Sequence, residues 1–189
     1  MSLEELIARA DEHGLTVSGV ACLDRCVPLL GGDDEVLRPL WGALAEGTAD
    51  SDWGEALRQT REKLDTAAAE AVDGGAGEAA DLARGMLAAA PADRSGGALR
   101  TWADGCSADA LRIHLLLDGA GDADLAAARR EGPTDGLSPL LAAELRRQTA
   151  VLELVAAHGA AGLRSALEVS TEGRRVLRAA VSRRSRRDG

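Results

Sequence analysis

Phenylalanine and tyrosine are absent from the 189 residues, and the only aromatic side chains are Trp41, Trp53 and Trp102. Leucine, valine and alanine must therefore fill the core. Small side chains let helix axes approach closely, and alanine has the most favourable helix propensity of any residue. Isoleucine occurs only at Ile7 and Ile113. The β-branched and aromatic residues that suit a pleated surface are scarce, so no substantial sheet is expected. Without strands, the scattered glycines form no phosphate-binding loop of the strand–turn–helix kind. Cysteine is limited to Cys22, Cys26 and Cys106, an odd number with no N-terminal signal pattern. That usage fits reduced thiols in the cytoplasm better than a secreted disulfide framework. No apolar run is expected to span a bilayer. Lysine is limited to Lys63 among 22 basic residues, a skew that reflects GC-rich coding and not a site.

What is present is acidic, and unevenly so. Residues 1–173 carry 15 basic and 30 acidic side chains, a net −15, while residues 174–189 carry seven arginines and one aspartate, a net +6. An acidic body repels phosphate backbones, which disfavours broad nucleic-acid binding except through the basic end.

The pattern along the chain is helical. Ser2 and Glu5 form a capping box opening a helix with Leu3, Leu6, Ile7 and Ala10 on one face, ending at Gly14. A second helix runs from about Thr16 to Leu30, with Pro28 bending or ending it. Asp33 or Asp34 is placed to cap a third, whose stripe is Leu37, Leu40, Trp41 and Leu44 and which ends at Gly47. A fourth begins at Asp50 or Ser51 and runs to a loop at Asp73–Gly77, and a fifth extends from Glu78 to Pro91. Residues 91–97 form the best linker and the place for a joint if the chain has two lobes. Beyond it come a short helix with Leu99 and Trp102, a separate buried helix over Leu111–Leu117, and a short helix near Asp122–Arg130. Ser138-Pro139 then starts a helix with Leu141, Leu145, Gln148, Leu152 and Val155 on one side, ending at Gly159. Two more helices, Ala161–Val169 and Thr171–Val181, precede a basic tail. The expectation is an all-α fold, a multi-helix bundle or orthogonal helical array of about eight to ten helices. Residues 1–182 form one domain and 183–189 a disordered basic tail.

Few residues suggest chemistry. Cys22 and Cys26 share a helical face, but zinc wants four ligands and no second pair or suitably spaced histidine accompanies them, so they read as small core hydrophobes. Asp33, Asp34, Glu35, Asp50 and Asp52 sit at helix starts, where carboxylates cap free N–H groups without any ion. No cofactor or metal is expected. His13 and His158 each precede a glycine and suit the C-terminal turns of helices. His114, inside the most apolar segment, is the one candidate acid–base group, with a packed core position as the plainer alternative.

The stretch Ala21-Cys22-Leu23-Asp24-Arg25-Cys26-Val27-Pro28-Leu29-Leu30, the acidic turn Gly31–Glu35 and the run from Val36-Leu37 to Gly47 resemble the opening of small all-helical bacterial proteins classed as immunity proteins or left uncharacterised. The resemblance covers residues 21–47 and brings no catalytic residue with it. The leading expectation is a non-enzymatic helical protein that binds another protein or itself. Trp41, Trp53 and Trp102 are its candidate contact residues, together with Arg174, Arg175 and Arg178 at the basic end. Three alternatives stand beside it: an immunity or antitoxin-like binder of a basic partner, an enzyme with a non-contiguous site around His114, and a nucleic-acid-associated accessory protein.

Overall fold

The computed structural model describes residues 1–46, 50–70, 77–119, 122–133 and 136–188. Among these the chain forms nine α-helices and no strand: α1 (Leu3–Arg9), α2 (Glu12–Cys26), α3 (Arg38–Ala45), α4 (Asp50–Glu70), α5 (Glu78–Ala88), α6 (Gly96–Asp118), α7 (Leu125–Glu131), α8 (Pro139–His158) and α9 (Leu163–Asp188). Short 3-10 turns follow α2 and α8. The expected all-α architecture is present.

Local chemistry sets most of the boundaries. The Ser2 hydroxyl accepts from the Glu5 N–H, and Glu5 Oε2 accepts from the Ser2 N–H, closing the capping box. Helix α1 stops at Arg9, short of the expected Gly14, because the Asp11 carboxylate accepts the Gly14 N–H at 2.7 Å and starts α2. His13 and Gly14 thus lie in the first turn of α2 and not at a helix C-terminus. Pro28 converts the end of α2 into a 3-10 turn. Pro39 lies in the first turn of α3, where its missing N–H costs nothing. Neither Asp33 nor Asp34 caps α3: Asp33 accepts from the Glu35 N–H, and Asp34 faces α9. Gly47 and residues 73–76 lie outside the described residues. Ser138 caps α8 ahead of Pro139, and α8 ends at His158 where Gly159 takes φ 54°.

Two expected breaks do not occur. The segments around Trp102 and Leu111–Leu117 belong to one helix, α6, since nothing between them interrupts the backbone hydrogen bonds before Gly119 adopts φ 65°. Likewise α9 is a single helix through Asp188, so residues 183–188 are helical and not a disordered tail. No proline interrupts it. Arg184 donates to the Leu116 carbonyl near the end of α6, and arginines in the last turns suit the negative end of the helix dipole.

Helix α2 is the centre of the molecule. Every residue from Gly14 to Cys26 is buried, and the helix packs against α6, α8 and α9 as well as α3 and α5. A helix covered on all sides belongs in the interior of a single core. Because α2 comes from the first half of the chain and α6, α8 and α9 from the second, residues 91–97 do not separate two lobes. The Pro91 carbonyl instead accepts from Trp53 Nε1, and Arg94 pairs with Asp50. By length and composition the run Pro139–Arg186 contains one stretch apolar enough to cross a membrane, against expectation. Leu141, Leu145, Leu152 and Val155 of that run are packed into the core.

Close packing on α2 requires Gly19. A Cβ there would stand 2.4 Å from the Trp102 ring, which is itself held by a 2.9 Å hydrogen bond from Nε1 to the Met86 carbonyl. Gly19→Ala is expected to destabilise the fold by about 1–3 kcal/mol through overpacking. Urea denaturation checks this; unchanged stability would mean that the α2–α6 packing is not as described.

Candidate functional site

Two adjacent residues of α2, Asp24 and Arg25, carry the polar architecture, and they serve different neighbours. Arg25 is completely buried and forms a bidentate ion pair with Glu144 of α8, Nε lying 2.9 Å from Oε2 and Nη2 lying 2.7 Å from Oε1. Gln148, one turn on from Glu144, donates to Glu144 Oε1 at 3.0 Å and to the Ser107 carbonyl, and accepts from the Ser107 hydroxyl at 2.6 Å. Arg25 Nη2 also approaches Cys22 Sγ at 3.3 Å. Gly173 of α9 leaves room for the guanidinium stem, since a Cβ there would meet Arg25 Cδ at 2.3 Å.

His114 closes this cluster. Its Nδ1 lies 2.7 Å from the Ala110 carbonyl, so Nδ1 carries the proton, and Nε2 lies 3.5 Å from Glu144 Oε2. Burial depresses the imidazole pKa, and the Glu144 charge offsets this only in part, so the ring is held neutral with Nε2 lacking a hydrogen bond. Burial alone would raise the Glu144 pKa, but the Arg25 charge and the hydrogen bonds from Arg25 and Gln148 outweigh it and hold the carboxyl below its ordinary value. Burial raises the Cys22 thiol to about 12 despite Arg25, and raises Cys26 and Cys106 well above the ordinary range, so none is an activated nucleophile. His114 and a carboxylate do converge, but none of the surface recesses described below reaches them.

Asp24 looks the other way, toward α3 and α9. Its Oδ2 accepts from Trp41 Nε1 at 2.7 Å, and its Oδ1 lies 3.1 Å from Arg174 Nη1. Arg174 donates to the Asp34 carbonyl, and Arg178 pairs with the Asp34 carboxylate, so the loop before α3 is fastened to α9. Burial raises the Asp24 pKa, which Arg174 and Trp41 partly offset. A recess of about 410 Å³ is bordered by Asp24, Asp34, Arg38, Trp41, Thr171 and Arg174. Its deep charges already satisfy one another.

The expected contact residues therefore separate. Trp41, Trp53 and Trp102 are 7%, 0% and 4% exposed, with each indole N–H engaged, so little of any ring is open to solvent. Arg174 is buried, Arg178 is exposed but paired, and Arg175 is exposed. Sequence reasoning missed Asp24, Arg25 and Glu144. Their signal was a charged pair in the middle of the apolar run from Leu15 to Leu30, and Gln148 in the buried stripe of α8 one turn from a glutamate. Among the described residues no group of three or more His, Cys, Asp or Glu side chains is placed to hold a metal ion.

A second recess, also about 410 Å³, is a groove between α5 and α6. Met86, Trp102 and Cys106 form its floor. Gly85, Gly97 and Gly105 lie along its walls, with Asp109 at one end. A Cβ at any of these three glycines would meet nothing within 4 Å, and none has a positive φ. Burial raises the Asp109 pKa. The described residues thus form an all-helical fold with a sealed ionic core, a charge-saturated recess and an apolar groove between α5 and α6. No family model, curated protein or solved structure matches it.

Removing one partner of the buried pair leaves an uncompensated charge, so Arg25→Met is expected to cost about 3–5 kcal/mol, most of it recovered in the double variant Arg25→Met/Glu144→Leu. Urea denaturation of the two variants checks this; a double variant as unstable as the single would refute it. The pH dependence has a definite sign. The lowered His114 pKa means that the unfolded chain takes up its proton first, so this contribution is complete above about pH 6.5 and is lost as pH falls toward the folded value. Glu144 loses its contribution at still lower pH, as pH falls through its depressed pKa. Asp24 has the opposite sign, its charged form being the one the fold disfavours. His114→Gln is expected to flatten the stability difference between about pH 7.5 and pH 5.5, measured by urea denaturation.

Proposed function

We propose that this protein is a non-enzymatic, cytoplasmic binding protein that takes a helix of a protein partner in the groove between α5 and α6. The observation that carries this reading is the trio Gly85, Gly97 and Gly105. Gly85 and Gly105 stand within helices, where glycine costs about 1 kcal/mol relative to alanine, and Gly97 in the first turn of α6, yet neither internal packing nor backbone conformation asks for glycine at these positions. Bare backbone along an apolar groove allows a second helix to approach closely, and the helix-in-groove mode reads such a surface through small and apolar anchors. Gly42 on α3 is similarly open but stands alone. Three unpaired, buried thiols support the cytoplasmic setting. Against catalysis stands the sealing of His114 and Glu144 inside the core.

Gly105→Ala and Gly85→Ala are each expected to raise stability by about 0.5–1 kcal/mol, since the methyl meets nothing in the free protein. Gly105→Leu is expected to leave the fold intact by circular dichroism while filling the groove. A protein retained from native lysate by the immobilised wild type and lost from Gly105→Leu supports the reading. Retention unaffected by Gly105→Leu, or destabilisation by either alanine, refutes it.

A further inference from the structure

We propose that the C-terminal half of α9 is a self-association surface: two copies of the chain pair reciprocally, each resting its basic helix end on the acidic body of the other. This inference is independent of the α5–α6 groove. Because α9 is helical through Asp188, Arg175, Arg178, Arg183 and Arg186 hold fixed positions around its axis. Around the axis Arg186 falls within about 20° of Arg175, Arg178 about 60° to one side and Arg183 about 80° to the other, so four guanidinium-bearing positions share one side over ~16 Å. Arg175, Arg178, Arg183 and Arg186 are all exposed.

Rigidity is what turns this charge outward. A disordered basic tail would fold back onto its own acidic body. A helix fastened by Arg178 to Asp34 and by Arg184 to the Leu116 carbonyl does not bend back; Arg186 donates to the Ser182 hydroxyl at 2.8 Å, and neither its charge nor that of Arg183 meets a carboxylate among the described residues. The complement is present at equal concentration in every copy: residues 1–90 hold 18 acidic and 7 basic side chains, a net −11. A phosphate backbone is the poorer occupant. No aromatic residue lies between the arginines to stack a base. Reciprocal pairing closes the assembly at two, which a one-way contact would not.

The test is light scattering of the full chain across a concentration series, at about 20 mM and about 500 mM salt. The expected result is a mass that rises from 19.5 kDa toward twofold at low salt and returns to the monomer value at high salt. Arg183→Gln/Arg186→Gln, which keeps helix-compatible side chains, is expected to stay monomeric at both salts. Gly105→Leu is expected to associate as the wild type does, so failure of the groove reading and failure of this one are separable. A strictly monomeric wild type at low salt overturns the proposal, as does a dimer indifferent to salt and to the arginine substitutions. Retardation of a DNA duplex by the wild type without any change in its own mass overturns it in favour of a phosphate ligand.

Discussion

The ion pair between Arg25 and Glu144 is the constraint around which the rest of this fold is arranged. A guanidinium and a carboxylate taken out of water together need their remaining donors and acceptors met as far as possible, and here Arg25 Nη1 is the one group of the pair left without a hydrogen bond. That requirement fixes Gln148 one turn along α8, brings Ser107 of α6 to meet it, and demands a glycine at position 173 so that α9 can lie against the arginine stem. Four helices are thereby tied to one register. An apolar core made of Leu, Val and Ala is smooth and interchangeable, and such cores lose uniqueness before they lose stability. A single polar address in its middle distinguishes the correct helix packing from its neighbours.

The two faces of α2 divide the labour. Arg25 points into the α6–α8–α9 core, while Asp24, its immediate neighbour, gathers Trp41, Arg174 and indirectly Arg178 on the α3–α9 side. The loop between α2 and α3 carries Asp34, which holds the last helix through two arginines, so the acidic turn serves as a clasp and not as a cap. The buried and half-buried carboxylates and guanidiniums around α2 hold helices to one another.

How much of this was legible in the sequence follows from the range of each interaction. Local signals were readable: the Ser2–Glu5 box, Pro39 in a first turn and the Ser138-Pro139 start each depend on residues within one turn of each other. The breaks expected within α6 and α9 fall where the hydrophobic pattern changes, whereas a helix ends only where its backbone bonding ends. The tryptophans were candidates for exposure because large amphipathic rings suit interfaces. Their burial depends on partners 16 to 38 residues away, the Met86 and Pro91 carbonyls and the Asp24 carboxylate. Arg25 and Glu144 are separated by 119 positions, and nothing local announces such a pair beyond a charge where an apolar residue would be cheaper. The groove glycines were visible as letters, but their lack of internal purpose is a property of space around them.

The absence of tyrosine and phenylalanine has an optical consequence. All near-ultraviolet emission from this chain arises from three indoles, and each is anchored at a different seam: Trp41 where α2 meets α3, Trp53 where α4 meets the segment before α6, and Trp102 where α6 meets α5 and α2. Trp53 and Trp102 lie edge to face with ring centroids 6.2 Å apart, close enough to exchange excitation, while Trp41 lies against a carboxylate. The protein thus carries its own optical report on helix separation, in which Trp53 and Trp102 answer as a coupled pair and Trp41 by itself.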